Sequence, residues 1–370
     1  MNIKTVASEK IDLQDVVLDL QSQLSGFDTH MVVFFASSTF DADGIAAKMQ
    51  EAFPGASTFG CTTAGELVSG KMLKNSVVAM AFSNDSLKQV KVAVVEDVNA
   101  DDAVDKAFAS FAEFFGTPMS ALDPKSHLGL ILVDGLSGAE ERIIDRIGDL
   151  TNIGFIGGSA GDDLKFAATY VYANGKAYKH AALLAVLEPT GEFTFIKTQS
   201  FNPLPQKLVV TKAIEEAREV LEFNGKPAAE AYAEAVGTSV EEAPNRFMHN
   251  PVGLVFEGEP FVRSPQQINP KDGGMIFYCG VKEGMELSLL ESTDIIADTK
   301  SALENAKAEL GSISGIINFN CILRTLELGQ KGLTGAYGEL FSDIPTIGFS
   351  TYGEQFIGHI NQTATMVAFK

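Results

Sequence analysis

The sequence predicts a mixed α/β protein built from an internally repeated α-β-α-β-β unit, with mixed sheets covered by helices in two lobes. Three observations lead there. The signature Phe59-Gly60-Cys61-Thr62-Thr63-Ala64-Gly65-Glu66 returns as Ile347-Gly348-Phe349-Ser350-Thr351-Tyr352-Gly353-Glu354. Each copy is followed by an Asn and an alternating apolar stretch ending in Ala-Phe, Asn75 to Phe82 and Asn361 to Phe369. A looser copy, Ile156-Gly157-Gly158-Ser159-Ala160-Gly161-Asp162, lies between them, 157 − 60 = 97 residues after the first and 348 − 157 = 191 before the last. The second gap is about twice the first, which leaves room for a degenerate fourth unit between residues 200 and 290.

The elements ahead of each copy also match. The first unit reads as helix (Leu13 to Leu24), strand (Met31 to Ala36) and helix (Gly44 to Phe53). The second reads as Asp101 to Phe115, Leu128 to Val133 and Ala139 to Leu150, the third as Asp294 to Leu310, Gly315 to Asn320 and Leu323 to Leu340. The helices rest on apolar residues three and four apart, such as Val104, Ala107, Phe108, Phe111 and Phe115. The strands are short apolar runs, as in Met31-Val32-Val33-Phe34-Phe35, which predicts a sheet buried on both faces. Strands over Ala168 to Ala173 and Ala177 to Leu187 meet at Asn174-Gly175, a two-residue hairpin signal. Ala213 to Gly237 reads as a helical connector with a turn at Asn224-Gly225. A boundary near residue 205 divides the chain into domains 1–205 and 206–370.

Bulk composition narrows the function. The chain has 370 residues, 45% of them hydrophobic, enough for two domains. A net charge of −20 repels phosphate backbones and anionic lipid, so neither nucleic acid nor membrane is an expected partner. No signal-peptide core opens the chain and its apolar runs are too short to cross a bilayer, so a cytoplasmic location is expected. Cys61, Cys279 and Cys321 are odd in number and form no CxxC pair, against a disulfide framework or structural zinc.

In the signature, the glycines allow close backbone approach. Thr62, Thr63, Ser350 and Thr351 supply hydroxyls, and Glu66, Asp162 and Glu354 a carboxylate. Such a set can line a ligand pocket. It can equally form a packing joint whose carboxylate caps backbone N–H groups, and repetition in three places favours the joint. Gly157-Gly158-Ser159-Ala160-Gly161 lacks the Lys of a P-loop and leads into a strand, not a helix. Arg324 is read either as an anchor for an anionic ligand or as the partner of a carboxylate. Catalysis is not expected: Cys61 is the one thiol inside a signature, but the other copies carry Gly158 and Phe349 in its place, and a small buried hydrophobe is the common fate of a free Cys.

These stretches resemble the FIST family of sensory proteins. FGCTTAGE and IGGSAGDD are similar to motifs of its N-terminal domain. NGKPAAEAY (Asn224 to Tyr232), NPVGLVFEGEPFVRSP (Asn250 to Pro265), FNCILRTLELG (Phe319 to Gly329) and IGFSTYGEQ are similar to motifs of its C-terminal domain. The resemblance implies signal input by a bound small molecule, and its size is similar to that of the family's nitric-oxide-sensing haem proteins, which regulate a partner histidine kinase. It thereby implies haem b as cofactor; the haem-free alternative is a sensor of an amino acid or similar metabolite. A haem needs an axial ligand, usually a neutral His in an apolar setting. His30 and His127 stand 97 residues apart, at equivalent strand starts (127 − 30), and are set aside. His180 ranks first as haem and metal ligand: the Asn174-Gly175 turn pairs Val171 with Tyr178 and puts His180 on the same face as Val171. His249 and His359 follow.

Overall fold

Each signature sits in a unit of the order β-α-β-α-β-β-β-β, and the computed structural model, which describes residues 2–370, contains three such units, the third with its second helix split in two. The first runs β1 (Ile3–Ser8), α1 (Leu13–Gln23), β2 (Thr29–Ser37), α2 (Ala42–Ala52), β3 (Ser57–Thr63), β4 (Glu66–Val68), β5 (Lys71–Leu73) and β6 (Val77–Ser83). The second runs β7 (Leu87–Val95), α3 (Ala103–Phe115), β8 (Leu128–Val133), α4 (Glu140–Leu150), β9 (Phe155–Ser159), β10 (Val171–Ala173), β11 (Lys176–Tyr178) and β12 (Ala182–Pro189). The third opens with β13 (Phe193–Gln199) and is then interrupted. The interruption comprises β14 (Phe201–Ile214), β15 (Glu219–Phe223), β16 (Lys226–Pro227), α5 (Ala228–Val236), β17 (Val252–Phe256), β18 (Glu259–Arg263), β19 (Pro265–Ile268), β20 (Met275–Phe277) and β21 (Glu286–Ser292). The unit resumes with α6 (Ile295–Leu310), β22 (Gly315–Cys321), α7 (Ile322–Gln330), α8 (Thr334–Glu339), β23 (Thr346–Thr351), β24 (Glu354–Phe356), β25 (His359–Ile360) and β26 (Thr363–Phe369).

Each unit forms four strands of its own sheet: in the first, β1 pairs antiparallel with β6, β6 with β2, and β2 lies parallel to β3. The small hairpin after each signature leaves its own sheet and completes another. β4–β5 joins the third unit beside β23, β10–β11 joins the first beside β3, and β24–β25 joins the second beside β9. The exchange is cyclic, so none of the three six-stranded sheets is complete without a neighbour. Their inner faces share one apolar core, in which Phe35 of β2 meets Phe319 of β22 and Phe349 of β23 at ring-centroid distances of 6.2 and 4.6 Å.

Several expectations change. The first strand of each unit was not legible, because β1 and β13 carry mixed polar and apolar residues; each adds an edge antiparallel to its unit's last strand. Residues 201–292 are not a fourth unit: they form an eight-stranded sheet with α5 and a core of their own, including Leu208, Phe223, Tyr232, Phe277 and Leu287. The helical connector over Ala213 to Gly237 shrinks to α5. Asn224-Gly225 is the turn expected, but it joins β15 to β16. The single helix over Leu323 to Leu340 is two, α7 and α8, parted at Gly332 with φ +69°. The Asn174-Gly175 hairpin holds, with Val171 opposite Tyr178, yet the strand from Ala177 breaks after Tyr178. There the chain must pass from the first unit's sheet to the second's, and the Asp134 carboxylate takes the His180 backbone N–H at 2.6 Å to make the bend.

Candidate functional site

The three signatures touch one another in a closed ring. Ala64 N–H donates to Ser350 O and Ser350 N–H to Gly65 O; Gly161 N–H donates to Thr62 O; Tyr352 N–H donates to Ser159 O and Ser159 N–H to Gly353 O. The hydroxyls serve the same joint. Thr62 Oγ1 accepts from Tyr170 N–H (3.0 Å), Thr351 Oγ1 donates to Ser159 O (2.8 Å), Ser350 Oγ meets Thr325 Oγ1 (2.8 Å) and Thr63 Oγ1 bonds Glu66. Each carboxylate caps the chain just beyond it: Glu66 accepts from Ser76 N–H, Glu354 from Thr363 N–H, and Asp162 from Phe166, Ala167 and Ala168 N–H. The signature residues Thr63, Glu66, Ser350 and Thr351 are therefore spent on the joint, as is Oε2 of Glu354, whose Oε1 is buried without a hydrogen-bond partner. Thr62 and Asp162 additionally line a more open pocket of about 320 Å³ with Asp41, Lys165 and Tyr170.

Burial pushes Glu354 up to about 8 and Glu66 up to about 7. A free carboxyl titrates near 4.3, so between about pH 5 and 8 the folded chain keeps protons that the unfolded chain has released, and stability falls as pH rises through that window. Glu354→Gln is expected to flatten this fall. Urea midpoints at pH 5 and pH 8.5 check it: the variant gains on the wild type at the higher pH, and parallel behaviour of the two would contradict the assignment.

Arg324, on the first turn of α7, is buried, and no carboxylate among the described residues lies within ion-pair distance of it. It donates to Asn320 Oδ1 (3.1 Å), Ser200 Oγ (3.3 Å) and Thr299 Oγ1 (2.9 Å), which ties β22, the start of the interruption and α6 together. Arg324 does not line the cavity described below, and its charge partly offsets the burial of Glu354 without a direct ion pair to it. Cys61, Cys279 and Cys321 are all buried, and desolvation pushes each thiol up, so none presents a thiolate to a substrate.

A more enclosed cavity, with a hydrogen-bonded polar wall, lies elsewhere, where the second unit, the third unit and the interruption meet. It measures about 190 Å³. One wall is a hydrogen-bonded loop. Arg218 Nη2 donates to Glu140 (2.8 Å) and Glu141 (2.6 Å), and Arg218 Nη1 donates to Tyr278 O (2.9 Å). Ser159 Oγ donates to Glu140 (3.0 Å) and lies 3.4 Å from Gln355 Nε2, which also donates to His359 Nδ1 (2.9 Å). His359 Nε2 faces Tyr278 O at 3.4 Å and closes the circuit. The carbonyl requires the proton on Nε2, and burial holds His359 below the usual imidazole range, so it is neutral at pH 7. Burial disfavours the Arg218 charge, but Glu140 and Glu141 outweigh it and the guanidinium stays protonated. The wall thus carries one carboxylate in excess, and Arg218 keeps Nε–H and one Nη1–H free of these bonds.

The other wall is apolar: Ile322, Leu323 and Leu326 on α7, with Leu136, Leu164 and Phe166 at the mouth. Those last three are 40%, 41% and 55% exposed, unusual for residues of their size. Leu164 and Phe166 ride on a loop whose Asp163, Leu164 and Phe166 all have left-handed φ, of 56°, 62° and 50°. Such backbone costs about 1 kcal/mol per residue and persists where its surroundings demand it. Here the demand is Tyr352. Its hydroxyl donates to Asp162 (2.5 Å), accepts from Leu164 N–H (2.8 Å), and its ring stacks on Phe166 at 5.2 Å.

Of the three ranked histidines only His359 lines this cavity. His180 is exposed and lies in the bend, outside the apolar strand face expected for it, because the strand ends two residues earlier. His249 is half-buried in a turn of the interruption. A cavity of about 150 Å³ holds a benzene molecule, so about 190 Å³ suits a ligand little larger than that and not a porphyrin. Both His359 nitrogens are also engaged, and Gly353 is Gly because a Cβ there would stand 2.1 Å from the His359 ring. The residues present do not fit a haem. Sequence reasoning missed Glu140, Arg218 and Tyr352. Tyr352 had a signal: it occupies the signature position where the first copy has Ala64 and the middle copy is a residue short.

Fold and site together define an α/β protein of three hairpin-exchanging units with a small-molecule cavity at the junction with an inserted β domain. The chain belongs to the FIST family: a FIST N domain matches residues 30–226 and a FIST C domain residues 228–357. FIST domains are sensory domains of signal transduction that bind small ligands. The chain is also 26% identical over 299 residues to Uncharacterized protein MJ1623 of Methanocaldococcus jannaschii, which covers 75% of this chain and 57% of that protein. It therefore spans little more than half the length of this relative. No helix among the described residues is long and apolar enough to cross a membrane.

Proposed function

We propose that this chain is a haem-free sensor of a small zwitterionic metabolite of the amino-acid kind, held in the junction cavity. The observation that carries the reading is the pairing of opposite charges on one wall with an apolar wall facing it. An ammonium group meets the Glu140 carboxylate, a carboxylate meets the N–H groups of Arg218 that these bonds leave free, and an apolar side chain lies along Leu326 toward Phe166. The volume, about 190 Å³, supports a ligand of that size. Output to a separate signalling protein, a histidine kinase by family resemblance, belongs to the same proposal.

Two measurements on the purified protein test it. Thermal melts are run with each of the twenty amino acids in turn, and absorption is followed during titration with haem. The reading expects at least one amino acid to raise the melting temperature, and haem to give no saturable Soret band. A stoichiometric Soret band that disappears in His180→Ala, His249→Ala or His359→Ala would instead make this a haem-binding chain and contradict the reading.

A further inference from the structure

We infer that the inserted domain, residues 201–292, is a hinged cap on the cavity, latched shut by Arg218 against Glu140 and Glu141. The inference rests on reading the cavity as the ligand site, but its test reads motion without ligand, so the two can fail separately.

The first ground is the core. Among the described residues, no hydrophobic cluster is shared between the insertion and the three units: the insertion's main cluster runs from Leu204 to Leu289, and the clusters of the units contain none of its residues. Domains joined without a common core move relative to one another by default. The second ground is the connection. Only two adjacent segments link cap and body, Gln199–Ser200 going in and Thr293–Asp294 coming out. They are bonded to each other through Thr293 N–H and Ser200 O at 2.8 Å. Arg324 grips this root, bonding Ser200 on the way in and Thr299 on the way out. That gives its buried guanidinium a role as the fixed side of a hinge.

The third ground is where the remaining contacts lie. They are mainly polar; one set lies at the cavity, and a second lies nearer the root, where Lys197 meets Pro260 O (3.4 Å), Glu259 (3.5 Å) and the Phe261 ring, and Gln362 Nε2 donates to Met248 O (2.8 Å). Besides the Arg218 ion pairs, Gly280 N–H donates to Glu141 Oε1 (2.6 Å), and Ser264 Oγ donates to Gln362 (2.7 Å). Arg218 is itself held with φ +52°, in left-handed backbone. Arg218, Phe277 and Tyr278 line the cavity from the cap, while Glu140, Leu326 and His359 line it from the body. A ligand that takes up Arg218 or Glu140 therefore competes with the latch itself, and a change of occupancy becomes a change of cap angle.

Spin labels on Lys125→Cys in the body and Ser239→Cys in the cap, both exposed, report the angle; the native cysteines are buried and stay unlabelled. In the wild-type background one distance should dominate, with any second population below about a tenth. In Glu140→Gln/Glu141→Gln the second population should become the larger. The same narrow distribution in both would overturn the inference. Hydrogen exchange on the unmodified protein keeps the test open should the variant misfold. The Gly280 amide, bonded across to Glu141, should exchange at least about tenfold faster than amides of β22. Equal protection of the two would overturn it too.

Discussion

Adding a single methyl group at Gly60, Gly157 or Gly348 is expected to cost about 4 kcal/mol of stability or more, whichever copy is changed. Each is the first glycine of its signature, and each faces a main-chain carbonyl on the parallel neighbour. A Cβ would stand 1.6 Å from Phe34 O at Gly60, 1.7 Å from Ile131 O at Gly157 and 2.2 Å from Asn318 O at Gly348. Side chains can swing away from such a clash. A carbonyl in the middle of a ladder cannot without breaking β2–β3, β8–β9 or β22–β23, the parallel pairs at the heart of each sheet. Gly148→Ala is the control: it sits inside α4 with nothing within 4 Å of its Cβ, and should be stabilised by about 0.5–1 kcal/mol. Urea unfolding of the four variants checks this. A Gly60→Ala midpoint within about 1 kcal/mol of wild type would mean that the strands are not packed as described.

Removing Arg218 should damage stability and binding by separable routes. Arg218→Ala strands Glu140, only 3% exposed, with Ser159 as its remaining side-chain donor. An uncompensated buried carboxylate costs about 3 kcal/mol. Adding Glu140→Gln removes the stranded charge, so the double variant should recover part of that loss. It should not recover affinity for a zwitterion, which falls by about a hundredfold or more once the guanidinium is gone. Thermal melts and calorimetry on wild type, single and double variants separate the two. Recovery of both together would show that Arg218 is a structural ion pair and not part of the binding wall.

Much of the fold was legible because the repeat states it three times. The strands Met31 to Ala36, Leu128 to Val133 and Gly315 to Asn320 are dense in apolar residues, and both faces of each are buried. The hairpin exchange was not legible. β4, β10 and β24 are three residues each, and nothing in so short a strand says whether it pairs with its own sheet or the next. The signature was rightly suspected of being a joint, since Glu66 and Glu354 both cap backbone a few residues on. The site was obscured for a related reason. Periodicity finds residues that repeat, whereas the cavity is assembled from residues that do not: Tyr352 in place of alanine, Arg218 in a segment read as helix, Glu140 at a helix start. His180 drew attention through an alternation that the chain abandons at the bend between two sheets.

The central claim is that a small zwitterion occupies the junction cavity, and calorimetry on wild type and Leu326→Trp tests it most directly. Leu326 faces the cavity from α7 without taking part in the polar wall, so an indole there fills the space and leaves Arg218, Glu140 and His359 in place. The account predicts saturable binding of at least one amino acid at one site per wild-type chain, and its loss in Leu326→Trp with the fold intact. Equal binding by both proteins would contradict it, because the ligand would then have to lie elsewhere.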